Sequence, residues 1–225
     1  MRRLIIIFLM LVFYLNIQAQ NSENGAWFIY FGNQKISKKM NLWNEAQIRN
    51  YDILSDRQQL LLRAGLGYDL SENNNNILIG YAFINSQNYI PNSDEKNSVN
   101  EHRIYQQFIH RNNFGRVFLQ HRFRAEQRFL PNDFQSRGRY FLSANIPLSN
   151  NKMIPKTIYA SAYNEIFVNL QNQFFDRNRI YGALGFIIDK NLRIEAGYMN
   201  QALPNSSRGQ FQLVIFNNLP IFKQK

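Results

Sequence analysis

The feature that most constrains the fold of this chain is an alternation of apolar and polar side chains with a period of two residues. In the segment 58–70 the even positions are apolar, and most odd positions are polar or glycine. In 115–129 the phase is reversed, and the polar positions hold glutamine, arginine and glutamate. Successive side chains of a β-strand point to opposite faces, so this pattern predicts strands with one apolar and one polar face.

Several segments carry such patterns, and turn residues such as Asn, Asp, Ser and Pro separate them. Most of these candidate strands are longer than the ~5–6 residues of a usual globular strand. They match the ~9–11 residues with which a tilted strand crosses a bilayer. The candidates are 25–34, 41–52, 58–70, 76–88, 99–111, 115–129, 137–148, 157–169, 175–188, 191–202 and 208–218.

The choice of charged residue indicates what the polar face meets. The lysines lie in turns or near the chain ends, whereas most arginines lie in the polar phase of strands. A water-exposed face would use lysine freely, while a crowded interior favours arginine, whose planar fork pairs with carboxylates. We therefore predict an all-β fold, an antiparallel transmembrane β-barrel with apolar side chains in lipid and charged side chains in the lumen. The predicted lumen residues are Glu45, Arg49, Arg63, Glu101, Arg103, Arg122, Arg124, Glu126, Arg128, Arg137, Arg139, Glu165, Arg177, Arg179, Arg193 and Glu195.

Two interpretations fit this charged lumen. In the first the network is structural: buried charges need partners, so each lumen glutamate is expected to accept from two or more arginines. In the second the excess of arginine makes a small pore for anions such as acidic sugars, phosphates or small organic acids. The core of that track is expected at Arg122, Arg124, Arg137, Arg139, Arg177 and Arg179.

Closure of the sheet follows from hydrogen bonding, because hydrocarbon offers no partner to the backbone groups of a free sheet edge. Aromatic side chains near strand ends are candidates for the belts that membrane barrels place at the two interfaces. These candidates are Trp27, Tyr51, Tyr81, Tyr89, Tyr140 and Tyr198.

The number of strands is predicted as ten or twelve, because single-chain bacterial barrels have even counts. Ten strands would run from 41–52 to 208–218 with both termini in the periplasm, and 25–34 would be an extra pairing segment or a lumen insert. Twelve would require residues after 218 to add a strand, against the preference of Pro220. The stretches 85–100, 130–136 and 202–207 are predicted to be long loops at the outer end.

The first residues have the layout of a secretory signal peptide. A positive start at Arg2 and Arg3 precedes an apolar run from Leu4 to Ile17, and Ala19 offers a small residue for cleavage. The run is shorter than the ~20 residues of a membrane-spanning helix. We predict a signal peptide at 1–19 and a single barrel domain at 20–225. The predicted location is the cell outer membrane, with outer-membrane lipid and the outer-membrane assembly machinery as partners.

A series of short motifs gives this chain a family resemblance. They are Leu42-Trp43-Asn44-Glu45-Ala46-Gln47-Ile48-Arg49, Leu62-Arg63-Ala64-Gly65-Leu66-Gly67-Tyr68, Gly80-Tyr81, Glu101-His102-Arg103, 122–129, 137–140, 163–169, Asn178-Arg179 and Gly197-Tyr198. In this order they resemble the domain of unknown function 2490 family over nearly all of the exported chain. The resemblance implies a secreted outer-membrane barrel of Gram-negative bacteria and no known activity, so it assigns no catalytic residue.

Other function classes have weaker support. Cysteine is absent, which excludes a thiolate zinc site and a cysteine nucleophile. Export argues against nucleic acid as a partner, and we predict no cofactor, metal ligand or catalytic residue. Two alternatives stay open: a lipase-type or deacylase-type membrane enzyme, for which His121 in the apolar phase is the candidate base, and a periplasmic lipocalin-like binder with the two faces reversed.

Overall fold

The computed structural model describes residues 24–72, 74–171 and 173–221, and the predicted signal peptide lies outside them. The described chain is all-β and forms one closed barrel, which confirms the predicted fold class at that level. No helix in the described residues is long and apolar enough to cross a membrane. The strands are β1 (Gly25–Lys35), β2 (Met40–Asn50), β3 (Arg57–Asp69), β4 (Asn75–Tyr89), β5 (Lys96–Phe114), β6 (Val117–Leu130), β7 (Asp133–Pro147), β8 (Ile158–Asn169), β9 (Phe175–Ile187), β10 (Leu192–Leu203) and β11 (Ser206–Asn217).

The barrel closes through a parallel pairing of β1 with β11, which we call the seam. Its register runs from Gly25 opposite Gln210 to Gly32 opposite Asn217. In the described chain the other neighbouring strands follow one another in sequence and pair antiparallel, as in consecutive hairpins. Each strand is therefore hydrogen-bonded on both sides.

The prediction of ten or twelve strands is wrong, because residues 24–221, as far as they are described, form a closed barrel of eleven. The segment 25–34 is not a lumen insert. It is a pairing segment, as the other alternative predicted, and it pairs with both β2 and β11 to complete the wall. An even count is required only when the first and last strands pair antiparallel. The parallel seam removes that requirement and puts Gly25 and Asn217 at opposite ends of the barrel.

The predicted long loops are largely strand. The β4–β5 hairpin stays paired as far as Tyr89 opposite Lys96, and the β6–β7 hairpin stays paired to Leu130 opposite Asp133. The longest connection, 148–157, joins β7 to β8 at the Asn217 end instead. The longest connection therefore does not lie at the end where long loops were predicted. The start of β1 and the end of β11 lie at opposite ends of the barrel, so the prediction of both termini on one side is wrong.

The outer face of the barrel is apolar on β2 to β11, because the alternation places a large apolar side chain outward on each of these strands. Several are more than half exposed, including Ile79 at 60%, Ile180 at 64% and Leu184 at 61%. The inner face carries buried charge, with Glu126 at 1% and Arg124 at 3% exposed. Most strands thus separate an apolar exterior from a largely polar interior. Outward residues, one for each of these ten strands, are Ile48, Leu62, Ile79, Ile104, Phe123, Ile146, Ile158, Ile180, Ile194 and Leu213.

Two inward tyrosines lie over glycines on neighbouring strands. A Cβ atom added at Gly80 would lie 2.4 Å from the ring of Tyr105 and 2.5 Å from the Ala64 carbonyl. A Cβ added at Gly185 would lie 2.2 Å from the ring of Tyr159. The missing side chains leave the space in which these rings lie flat against the wall.

Candidate functional site: an arginine-lined lumen

The barrel encloses a cavity of about 720 Å³. Its lining extends from Val99 and Leu130 near the Gly25 end to Lys35 and Asn218 near the Asn217 end. Two parts of the lining differ in chemistry. The inward side chains of β5–β8 are called the Glu126 wall below, and those of β9–β11 and β1 are called the seam wall.

Glu126 is the centre of the Glu126 wall. Its carboxylate lies 2.6 Å from Arg137 and 2.6 Å from Arg139, and also meets Arg103 at 3.7 Å and Arg124 at 3.6 Å. Strands β5, β6 and β7 supply these residues, and Glu126 stands opposite Arg137 in the register. One buried carboxylate therefore joins β6 to β7 by charge-assisted hydrogen bonds and reaches β5 through the longer ion pair with Arg103.

Glu165 forms a second centre on β8. It accepts hydrogen bonds from Arg122 at 2.7 Å and Arg139 at 2.6 Å, and Arg179 lies 3.8 Å away. Arg139 bridges Glu126 and Glu165, so the two centres form one network. The network ties β6 and β7 to β8 and β9.

The ring of Phe167 lies against four of the six arginines that were predicted to form the core of an anion track. The guanidinium carbons of Arg139 and Arg179 lie 4.3 and 4.7 Å from its centroid, with Arg137 at 5.2 Å and Arg177 at 5.8 Å. These cations also have carboxylate neighbours, because Asp176 binds Arg137 and Arg177, each at 2.9 Å. The predicted core is therefore mostly paired.

Two other predicted glutamates have fewer partners. Glu101 binds Arg103 and Arg128, each at 2.6 Å. Glu45 binds Arg63 at 2.5 Å, and also accepts hydrogen bonds from Gln47 and Trp43. In the described chain Glu45 thus has one arginine within 4.0 Å, and the expectation of two or more is wrong for it.

The fifth predicted glutamate, Glu195, lies in the seam wall and has tyrosine partners instead. The hydroxyl of Tyr159 donates to it at 2.8 Å and that of Tyr181 at 3.5 Å. Among the described residues no arginine lies within 4.0 Å of its carboxylate, so the expected arginine pairing is wrong here too.

Three lumen arginines have no carboxylate within 4.0 Å in the described part of the chain. Arg49 donates to the neutral amides Gln47 and Gln59, and Arg111 donates to Gln120. The guanidinium of Arg193 stacks on Phe216 at 4.1 Å. These cations are neutralised less completely than those of the Glu126 wall.

The seam wall contains an apolar cluster, which the alternation did not predict. Trp27, Ile29, Tyr181, Met199 and Val214 form a buried cluster there. Trp27 is 4% exposed and lines the cavity, so its assignment to an interfacial belt is wrong. The lumen is therefore lined by a dense ionic network on one side and by an apolar cluster with fewer charges on the other.

The structure places all the predicted lumen residues on the inner face. Most of them line the cavity, whereas Arg124 and Glu126 are buried in the wall beside it. Arg122, Arg128, Arg139 and Arg177 are only partly covered, as expected at a cavity surface. The sequence missed Arg111, Asp69 and Asp176, although Arg111 shares the phase of Glu101 and Arg103 on β5.

The histidines lie on the outer face and have partners on neighbouring strands. His102 contacts the hydroxyl of Tyr81, His110 contacts Asn75, and His121 contacts the hydroxyl of Tyr140 at 2.9 Å. None of these partners is a serine or a carboxylate, so the described residues show no arrangement of nucleophile, base and orienting acid. They also contain no group of three or more metal-ligating side chains.

Fold and site together define a class: an all-β closed barrel with buried arginine–carboxylate networks around an internal cavity. The chain belongs to the family described as "Protein of unknown function (DUF2490)", whose sequence profile matches residues 24–212. This confirms the family resemblance of the motifs. A search of curated proteins finds no match.

Proposed function

We propose that the protein is an integral outer-membrane barrel whose lumen admits small anions. The observation that supports the membrane location is the distribution of side chains, apolar outside and charged inside. A water-soluble protein rarely exposes a continuous apolar surface of more than a few hundred Å². Here such side chains are exposed on ten successive strands, and the wall has no free edge that lipid would leave unpaired.

The same distribution argues against the lipocalin-like alternative, which requires apolar side chains around the cavity and polar ones outside. The enzyme alternative lacks support as well, because His121 is hydrogen-bonded to Tyr140 and no nucleophile accompanies it among the described residues. Lipid on the outer face and the outer-membrane assembly machinery are then the partners of the barrel itself.

The anion preference of the lumen rests on charge that the structure leaves unpaired. The Glu126 wall supports a structural role for most arginines, since its carboxylates bind them. Arg49, Arg111 and Arg193 have no such partner in the described chain, and they line the cavity at different heights. Arg49 lies near the Gly25 end, while the other two lie near the Asn217 end. Unpaired cations along a pore attract anions and repel cations.

The test is the reversal potential of the purified protein in a planar lipid bilayer between chambers of unequal KCl concentration. We expect a potential with the sign of chloride preference. Arg111→Gln and Arg193→Gln should each lower the chloride-to-potassium permeability ratio. Lys190→Gln, in the exposed β9–β10 turn, is the matched control and should leave it unchanged.

Two results would contradict the proposal. A protein that stays monomeric and folded without detergent would remove the membrane location. No current, or a reversal potential of the cation sign, would remove the anion-admitting lumen.

A further inference from the structure

Trp27 lies against two guanidinium groups. The Cζ atom of Arg49 is 3.8 Å from the centroid of the indole, and that of Arg179 is 4.9 Å away. Arg49 comes from β2, next to β1, whereas Arg179 comes from β9 beyond the seam. Two cations on one ring repel each other, and an anion beside them would relieve that repulsion.

These groups hold hydrogen-bond donors that have no acceptor among the described residues. Arg49 donates to Gln47 and Gln59 through three bonds, although a guanidinium carries five N–H groups. Arg179 donates to Gln201 and has one carboxylate, Glu165, at 3.8 Å. The buried indole N–H of Trp27 has no partner in the described chain. A carboxylate, which only accepts, complements such a set of donors.

An apolar surface continues from Trp27 along the same cavity. Ile29, Val214 and Tyr181 belong to its buried cluster, and Tyr163 stacks on Tyr181 with centroids 4.6 Å apart. All of these side chains line the cavity. A ligand held at the two arginines would therefore have its remaining atoms against apolar and aromatic side chains, which is the usual composition of a small-molecule pocket.

We propose that the lumen binds a small carboxylate with an apolar or aromatic body. The carboxylate lies between Arg49 and Arg179 beside the N–H of Trp27, and the body lies against the seam wall. This inference rests on the proposed function in one respect, that anions enter the lumen. It goes further in naming the ligand class and the residues that bind it.

Three probes separate the charge of such a ligand from its body: cyclohexanecarboxylate, acetate and cyclohexylmethanol. Binding to the purified protein in detergent micelles is measured by calorimetry, with tryptophan emission as the readout of position. We expect cyclohexanecarboxylate to bind at least about tenfold more tightly than either of the other two. The chain has two tryptophans. The emission change should be absent in Trp27→Phe and retained in Trp43→Phe.

Substitutions of the two arginines test the site itself. Arg49→Gln and Arg179→Gln should each weaken cyclohexanecarboxylate binding at least about tenfold, the loss expected for a charged hydrogen bond. Arg49→Lys should lose less, because it keeps the charge and loses the planar fork. Lys190→Gln removes a positive charge in the exposed β9–β10 turn, outside the lumen, and is the control, with binding within about twofold of the unsubstituted protein. Arg49 has no carboxylate partner within the described residues, so its substitution keeps the test valid if Arg179→Gln fails to fold.

Each contrary outcome has a distinct meaning. Unchanged binding in Arg49→Gln would overturn the site, while chloride preference in the bilayer would still support the proposed function. Equal binding of acetate and cyclohexanecarboxylate would overturn the ligand class. No binding of any probe, together with no anion preference in the bilayer, would overturn both proposals.

Discussion

The Glu126 wall and the seam wall line one lumen, but their charged groups have different partners. Glu126 lies within 4.0 Å of four arginines, and Arg139 links it to Glu165. In the seam wall Glu195 accepts from two tyrosines, and Arg193 stacks on an aromatic ring with no carboxylate within 4.0 Å in the part of the chain that the structure describes. Arginine in a barrel interior thus has two roles. Where carboxylates are dense it joins strands, and where they are scarce it stacks on an aromatic ring or donates to neutral amides.

The largest expected effect comes from removing the central carboxylate. Glu126→Gln would leave four buried guanidinium groups around a neutral amide, and breaking such a buried ionic cluster costs about 3–5 kcal/mol. Glu195→Gln should cost about 1 kcal/mol, because the amide oxygen can still accept from Tyr159. Urea unfolding of the two variants in detergent measures the difference. Equal losses of unfolding free energy in the two variants would mean that the carboxylates of the two walls contribute equally to stability.

A smaller effect is expected at Gly80, beneath Tyr105 in the Glu126 wall. The guanidinium carbons of Arg63 and Arg124 lie 5.3 and 4.7 Å from the centroid of the Tyr105 ring. A methyl group at Gly80 would push the ring towards these cations. Gly80→Ala should lower the free energy of unfolding by about 1–3 kcal/mol, the usual cost of overpacking.

The control for this substitution is Gly182→Ala. An added Cβ at Gly182 has no neighbour within 4 Å, so its free energy of unfolding should change by less than about 0.5 kcal/mol. A matching loss at Gly182 would show that the cost at Gly80 comes from the backbone and not from the tyrosine.

The smallest effect is a pH dependence of stability at the Gly25 end of the seam wall. The hydroxyl of Ser55 and the backbone N–H groups of Asp56 and Ser55 donate to the Asp52 carboxylate and lower its pKa to about 2. The Asp52 carbonyl in turn accepts from the N–H of Ala26, next to Trp27. The pKa of Asp52 in the folded protein lies below the ordinary 3.8. The stability that its hydrogen bonds contribute is therefore complete above about pH 4 and is lost as the pH falls towards 2.

An NMR titration of the Asp52 carboxyl carbon in micelles would follow this transition. Exchange of the Ala26 amide hydrogen should accelerate over the same pH range. In Asp52→Asn, which cannot titrate at this position, the dependence should be absent. A titration midpoint near pH 3.8 would mean that the hydrogen bonds of the turn do not stabilise the ionised carboxylate.

The arginine network was predictable from sequence because its cause is local. Alternation assigns Arg137 and Arg139 to one face of a strand, and the same reasoning places Glu126 and Glu165 with them. The partners are less predictable, because they depend on register between strands. Asp176 next to Arg177 breaks the alternation, and the register of β8 and β9 shifts beside it, between Phe167 and Val168.

The seam wall was not predictable in the same way. In β1 the residues 26–31 are apolar in both phases, so alternation could not show that Trp27 faces the lumen. The strand count failed for a related reason. Pairing of β1 with β11 joins residues almost two hundred positions apart, and no local pattern indicates whether that pairing is parallel or antiparallel.

The odd number of strands has a consequence for how such a wall is built. Hairpins add strands in twos, so five hairpins account for ten strands and one strand must join singly, through the parallel contact of β1 with β11. If the barrel lies in a bilayer, Gly25 and Asn217 face different compartments. An epitope tag before β1 and another after β11 would then be accessible to antibody from opposite sides of an intact cell envelope.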